Sequence, residues 1–144
     1  PLYFGLTMAM PAAMIVLMPT ARAAKVQAES SVEAAVLRAL AGHESESVRI
    51  AAAENAAADD LTIGRLLVDD VGVVRIAAAS ALRDRPQLHE VAASSPDKWV
   101  RAILAHLYAD DDRRSLDLAV QKTLAVDPFG EVRGRTAETT DDVT

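Results

Sequence analysis

The chain has 144 residues, a formal net charge of −6, a pI near 5.0 and no cysteine. Its length fits one domain with a core of its own, and its acidic balance puts a nucleic-acid backbone at a disadvantage as a partner. The absence of cysteine excludes disulfides, thiolate nucleophiles, thiolate zinc sites and iron–sulfur ligation by this chain. Hydrophobic residues make up 51% and aromatics only 3%. Alanine runs such as Ala51-Ala52-Ala53, Ala56-Ala57-Ala58 and Ala77-Ala78-Ala79 supply much of that apolar fraction, and β-branched runs of strand length are missing, so the composition predicts an all-α chain.

Residues 1–30 read as an apolar N-terminal segment. No charge occurs from Pro1 to Ala21, and the run from Met8 to Met18 is strongly apolar although Pro11 and Pro19 interrupt the stretch. The favoured expectation is a cap or first helix packed on the domain. The alternative is a secretory leader or anchor ending at the small-residue site Ala21-Arg22-Ala23. The expected location is therefore cytoplasmic, becoming exported or membrane-anchored if residues 1–23 act as a leader. Only through this segment does a membrane enter as a partner.

From residue 31 to 138 the chain repeats itself. Ser30-Ser31-Val32-Glu33 has the form of a capping box and predicts a helix over 32–41, with Gly42 closing it at positive φ. The dipeptide Val-Arg then recurs at Val48-Arg49, Val74-Arg75, Val100-Arg101 and Val132-Arg133, with spacings of 26, 26 and 32 residues. Val48-Arg49-Ile50-Ala51-Ala52-Ala53 matches Val74-Arg75-Ile76-Ala77-Ala78-Ala79 residue for residue. Five residues after each Val stand Ala53, Ala79, Ala105 and Ala137; eight before it stand Leu40, Leu66, Ala92 and Leu124. The two columns predict a helical hairpin in every unit, with boundaries near 31–58, 59–84, 85–109 and 110–138 and a polar tail over 139–144. Ser95-Pro96 and Asp127-Pro128 each offer an N-cap with proline at the first helical position. The longer fourth unit is expected to extend its first helix around Asp111 to Ser115.

An acidic or Ser-Pro-Asp turn, then Val-Arg, then an alanine-rich helix resembles the bacterial HEAT-like repeats, and especially the variant leucine-rich repeat. Leu66-Leu67-Val68-Asp69-Asp70-Val71-Gly72-Val73-Val74-Arg75 and Ser95-Pro96-Asp97-Lys98-Trp99-Val100-Arg101 carry the likeness, which covers residues 31–138. It implies a short right-handed α-solenoid of about four helical-hairpin repeats, in which a unit's first helix can be short or of 3₁₀ type, as over 86–93. The cysteine-ligated cluster known in one member of that group has no ligands here.

The arginines Arg49, Arg75, Arg101 and Arg133 each follow an acidic turn, so a ladder of ion pairs between units is expected; the alternative is a stripe gripping an anionic ligand, as in a HEAT-like enzyme or nucleic-acid-associated protein. Asp59-Asp60, Asp69-Asp70 and Asp110-Asp111-Asp112 lack the spacing of a calcium loop, and His43, His89 and His106 stand singly, so no metal, cofactor or catalytic residue is expected. Trp99 is read first as core filling and otherwise, with Tyr108, as an interface anchor. Glu54, Ser80, His106 and Glu138 form a polar column six residues after each Val. With Trp99 and Tyr108 they make the candidate interaction surface of a non-catalytic scaffold for a protein or peptide.

Overall fold

The computed structural model describes residues 20–110 and 117–137. The apolar run before Thr20, the extension expected at 111–115, Glu138 and the tail lie outside the described residues. Among those described, the chain forms nine α-helices and no strand: α1 (Ala21–Ser30), α2 (Ala34–Leu40), α3 (Glu46–Glu54), α4 (Asp60–Leu66), α5 (Gly72–Ser80), α6 (His89–Ala93), α7 (Lys98–Asp110), α8 (Leu118–Ala125) and α9 (Gly130–Ala137). Two 3₁₀ turns, Leu82–Asp84 and Pro86–Leu88, precede α6. Pro86 opens the second, where a missing N–H costs least.

The Val-Arg segments all fall on one row of helices. α1 packs on α3, α3 on α5, α5 on α7 and α7 on α9, while α2 touches α4 and α6 touches α8 beneath them. Val48, Val74, Val100 and Val132 are each 0% exposed and belong to one hydrophobic core. Leu40, Leu66, Ala92 and Leu124 meet them from the second row, and Ala53, Ala79 and Ala105 are buried between neighbouring helices. Alanine at these contacts lets backbones come close, and each buried valine or leucine contributes roughly 1.5–3 kcal/mol relative to exposure.

Three local expectations are corrected. Ser30 and Ser31 do not box the helix predicted over 32–41: they finish α1, the Ser31 N–H donating to Gln27 O at 2.9 Å and the Ser30 hydroxyl to Val26 O at 2.8 Å. α2 then starts at Ala34 with Glu33 as N-cap. Asn55 fixes this corner by donating Nδ2–H to Ala28 O (2.6 Å) and Ser31 O (2.9 Å), so α1 packs with the repeat helices rather than preceding them. Gly42 has no positive φ. A Cβ there would lie 2.8 Å from Nη2 of the exposed Arg65, a flexible side-chain end that can move aside. Pro96 and Pro128 sit in the turns two residues ahead of α7 and α9, because Ser95 and Asp127 accept the N–H of Asp97 (3.2 Å) and Phe129 (2.8 Å) and close a turn before each helix begins.

Candidate functional site

The turn before each Val-Arg helix is built the same way. Five residues ahead of the valine, the side chains of His43, Asp69, Ser95 and Asp127 each accept the backbone N–H two residues on, at 3.0, 2.9, 3.2 and 2.8 Å. The backbone carbonyls of these same four residues accept Nη1–H from Arg49, Arg75, Arg101 and Arg133, at 2.8, 2.6, 2.7 and 2.6 Å. Each arginine thus pins its own turn, using donors that point away from its charge partner.

The carboxylate partner comes from the following turn. Arg49 donates Nε–H to Asp69 Oδ2 at 2.7 Å and Nη2–H to Oδ1 at 3.1 Å; Arg101 meets Asp127 in the same two-point way, at 2.6 and 3.1 Å. Between them the column changes residue. Ser95 has no carboxylate, and Asp97, two residues later, reaches Arg75 instead, Nε to Oδ2 at 2.8 Å. Burial pushes the carboxyls of Asp69, Asp97 and Asp127 up, but the arginine bonds, the turn N–H donors and the arginine charges outweigh it, so all three are held below the usual carboxylate range. Arg49, Arg75 and Arg101 therefore meet protein carboxylates, leaving little of the charge for an anionic ligand.

A second chain of contacts runs between the other elements. Arg38 pairs with Asp59 (2.9 Å) and Arg85 with Asp60 (2.7 Å), and Gln87 also donates to Asp60. Asp59 caps α4 by accepting the Thr62 N–H at 2.9 Å. These aspartates are thus used in capping and pairing. No group of three or more His, Cys, Asp or Glu side chains among the described residues is placed to hold a metal ion.

The candidate interaction residues separate. Tyr108 is buried, 2% exposed, and its hydroxyl lies 3.0 Å from Nδ1 of the equally enclosed His89, whose Nε2 is 2.8 Å from Leu82 O. A side chain so enclosed is no surface anchor. Burial, then the charge of Asp117, pushes its phenol up to about 12. Trp99 is corrected the other way: it is 47% exposed and sets its edge on Phe129, ring centroids 5.6 Å apart, while Lys98 Nζ lies 5.3 and 4.8 Å from the two ring centroids. Its position, one before the valine, is held by Ser47 and Glu131 in other units and faces outward.

Trp99 heads a groove of about 400 Å³ across the outer face of α5, α7 and α9, lined by Ile76, Ala102, Ile103, His106 and Leu107, with Glu131 and Arg135 along the α9 side. Val73, 53% exposed, stands one before Val74 and enlarges the apolar surface of α5. Of the polar column, Glu54, Ser80 and His106 are all exposed, yet only His106 lines the groove. The Ser80 hydroxyl is turned back to Ile76 O at 3.1 Å. The sequence carries a signal for Ile76 and Ile103, two and three residues after their Val, and for Leu107, seven after Val100, where the apolar stripe is wider than one buried face needs; Arg135 has no such signal.

Compared with protein-family models, curated proteins and solved structures, the chain matches none of them. No helix among the described residues is long and apolar enough to cross a membrane.

Proposed function

We propose that the chain is a non-catalytic scaffold, a short right-handed α-solenoid of about four stacked helical hairpins of the HEAT-like, variant leucine-rich-repeat kind, that binds a protein or peptide on the outer face of α5, α7 and α9. The stacking part of the reading is supported by the turn-to-turn pairing of Arg49, Arg75 and Arg101, which repeats one linkage along the row. The binding part rests on one observation: a half-exposed tryptophan at the head of an apolar groove whose rim alternates charge at Glu131 and Arg135. A buried apolar anchor within a polar rim is how a few residues come to dominate binding. The occupant fitting this groove is a segment that inserts one or two large apolar side chains between Trp99 and Ile76.

The test is a selection of displayed random peptides on the whole chain, followed by titration of the survivors against wild type and Trp99→Ala. The expected result is a loss of about 30-fold in affinity, the size of a hot-spot truncation near 2 kcal/mol, with the thermal melt unchanged. Peptides that bind Trp99→Ala and Ile103→Asp as tightly as wild type would remove this surface from consideration.

A further inference from the structure

Arg133 repeats the pose of the clasped arginines without a clasp. Its Nη1 donates to Asp127 O at 2.6 Å, as Arg75 Nη1 does to Asp69 O at 2.6 Å. The glycine three residues before each measures the rest of the guanidinium: a Cβ on Gly130 would lie 3.5 Å from Arg133 Nη2, and one on Gly72 would lie 3.4 Å from Arg75 Nη2. Arg75 presents its other donors to Asp97. Arg133 is exposed; its charge is felt by the Asp127 carboxyl of its own turn, but among the described residues it has no ion pair, so no carboxylate of a following turn meets its Nε and Nη2 donors there.

The packing around it is open in the same way. Seven residues before each Val stand Ala41, Leu67, Ala93 and Ala125; the first three are buried, 2%, 1% and 5% exposed, whereas Ala125 is exposed. A Cβ built on Gly134 meets nothing within 4 Å. We infer that the α8/α9 face docks a further helical hairpin opening on an aspartate turn, Arg133 closing on that aspartate as Arg49 closes on Asp69. The occupant follows from continuity with the interface already repeated along the row. The α1 end of a second copy offers Thr20, not an aspartate, as the cap of its helix. The inference rests on the stacked-hairpin part of the proposed function and not on the groove, so the Trp99 titration and the experiment below fail separately.

The experiment inserts a copy of residues 55–84 between Glu138 and Thr139 of the full chain, which sets the copied Asp69 as far along the chain from Arg133 as Asp69 is from Arg49. Urea unfolding is followed by circular dichroism. The expected result is a single transition with a higher midpoint and steeper slope than the parent chain. Asp69→Asn in the copy alone lowers the folding constant of the extended chain about tenfold, and Arg133→Ala lowers that of the extended chain about tenfold more than that of the parent chain, where it removes only the bond to Asp127 O. Separate unfolding of the added unit, or an equal loss from Arg133→Ala in both chains, overturns the inference. A dimer of the parent chain that Arg133→Ala dissolves in sedimentation equilibrium overturns it in favour of self-association.

Discussion

Arg101 and Asp127, 26 residues apart, face each other through two parallel hydrogen bonds of 2.6 and 3.1 Å, with 12% and 4% of their side-chain surfaces exposed. A third arginine donor holds Ser95 O at 2.7 Å, and Asp127 Oδ1 also takes the Phe129 N–H at 2.8 Å. One pair thus joins two turns and starts a helix.

Removing Arg101 leaves Asp127 enclosed without its counter-charge, so Arg101→Ala should cost about 3 kcal/mol, the lower end for breaking a buried pair. Arg101→Lys should recover less than half of this, because a single ammonium cannot span two carboxylate oxygens and a carbonyl at once. Urea midpoints of the two variants at pH 7 measure both effects; a lysine variant equal to wild type would reduce the clasp to simple charge attraction.

Acid should loosen the stack through these carboxylates. Asp69, Asp97 and Asp127 have lowered folded-state pKa values, so their stabilising contribution is complete above the ordinary carboxylate value of about 3.9 and is lost as pH falls below it through their folded values. The expected profile from these groups is level between pH 5 and 7 and falls steeply below about pH 4. Replacing all three by asparagine should lower stability at pH 7 and flatten the acid limb. An unchanged acid limb in that variant would place the acid sensitivity elsewhere.

His89 and Tyr108 tie the 3₁₀ segment to α7. His89 Nε2 faces a carbonyl, so it carries the proton and donates to Leu82 O, and Nδ1 accepts from the Tyr108 hydroxyl at 3.0 Å. Tyr108→Phe keeps the ring and strands Nδ1 in a dry site, a cost of about 1–3 kcal/mol. Hydrogen exchange over residues 82–93 should quicken more than over α3. Equal protection in the variant would mean that ring packing alone holds the segment.

The periodic columns were legible because each rests on one repeated physical demand. Val48, Val74, Val100 and Val132 had to be apolar at a fixed offset, and all four are buried in one core. The all-helical class followed from alanine and the missing strand runs. Which turn supplies each carboxylate was not legible: Asp97 stands two residues later than Asp69 and Asp127 in its unit, and only the preceding arginine reveals the substitution. The sequence leaves Trp99 open between core and surface and puts Tyr108 on the wrong side for one reason, that a lone large ring suits either equally by type. Position decides: Trp99 precedes the valine on the outer face, and Tyr108, eight after it, turns inward to His89.

The helix faces themselves can be tested by charge. Ala51 and Ala78 are buried on α3 and α5, 3% and 0% exposed, whereas Glu54 is exposed at the end of α3. An aspartate at either alanine would bury a carboxylate with no counter-charge and too little room, a loss of about 4 kcal/mol or more. Glu54→Arg adds a cation at a helix C-terminus in water, where the change should stay within about 0.5 kcal/mol and lean towards stabilisation. Thermal melts followed by circular dichroism should therefore rank Ala51→Asp and Ala78→Asp far below Glu54→Arg. The reverse order would mean that the alanine faces do not meet their neighbours, and the seam joining the four valines would have to be drawn through other residues.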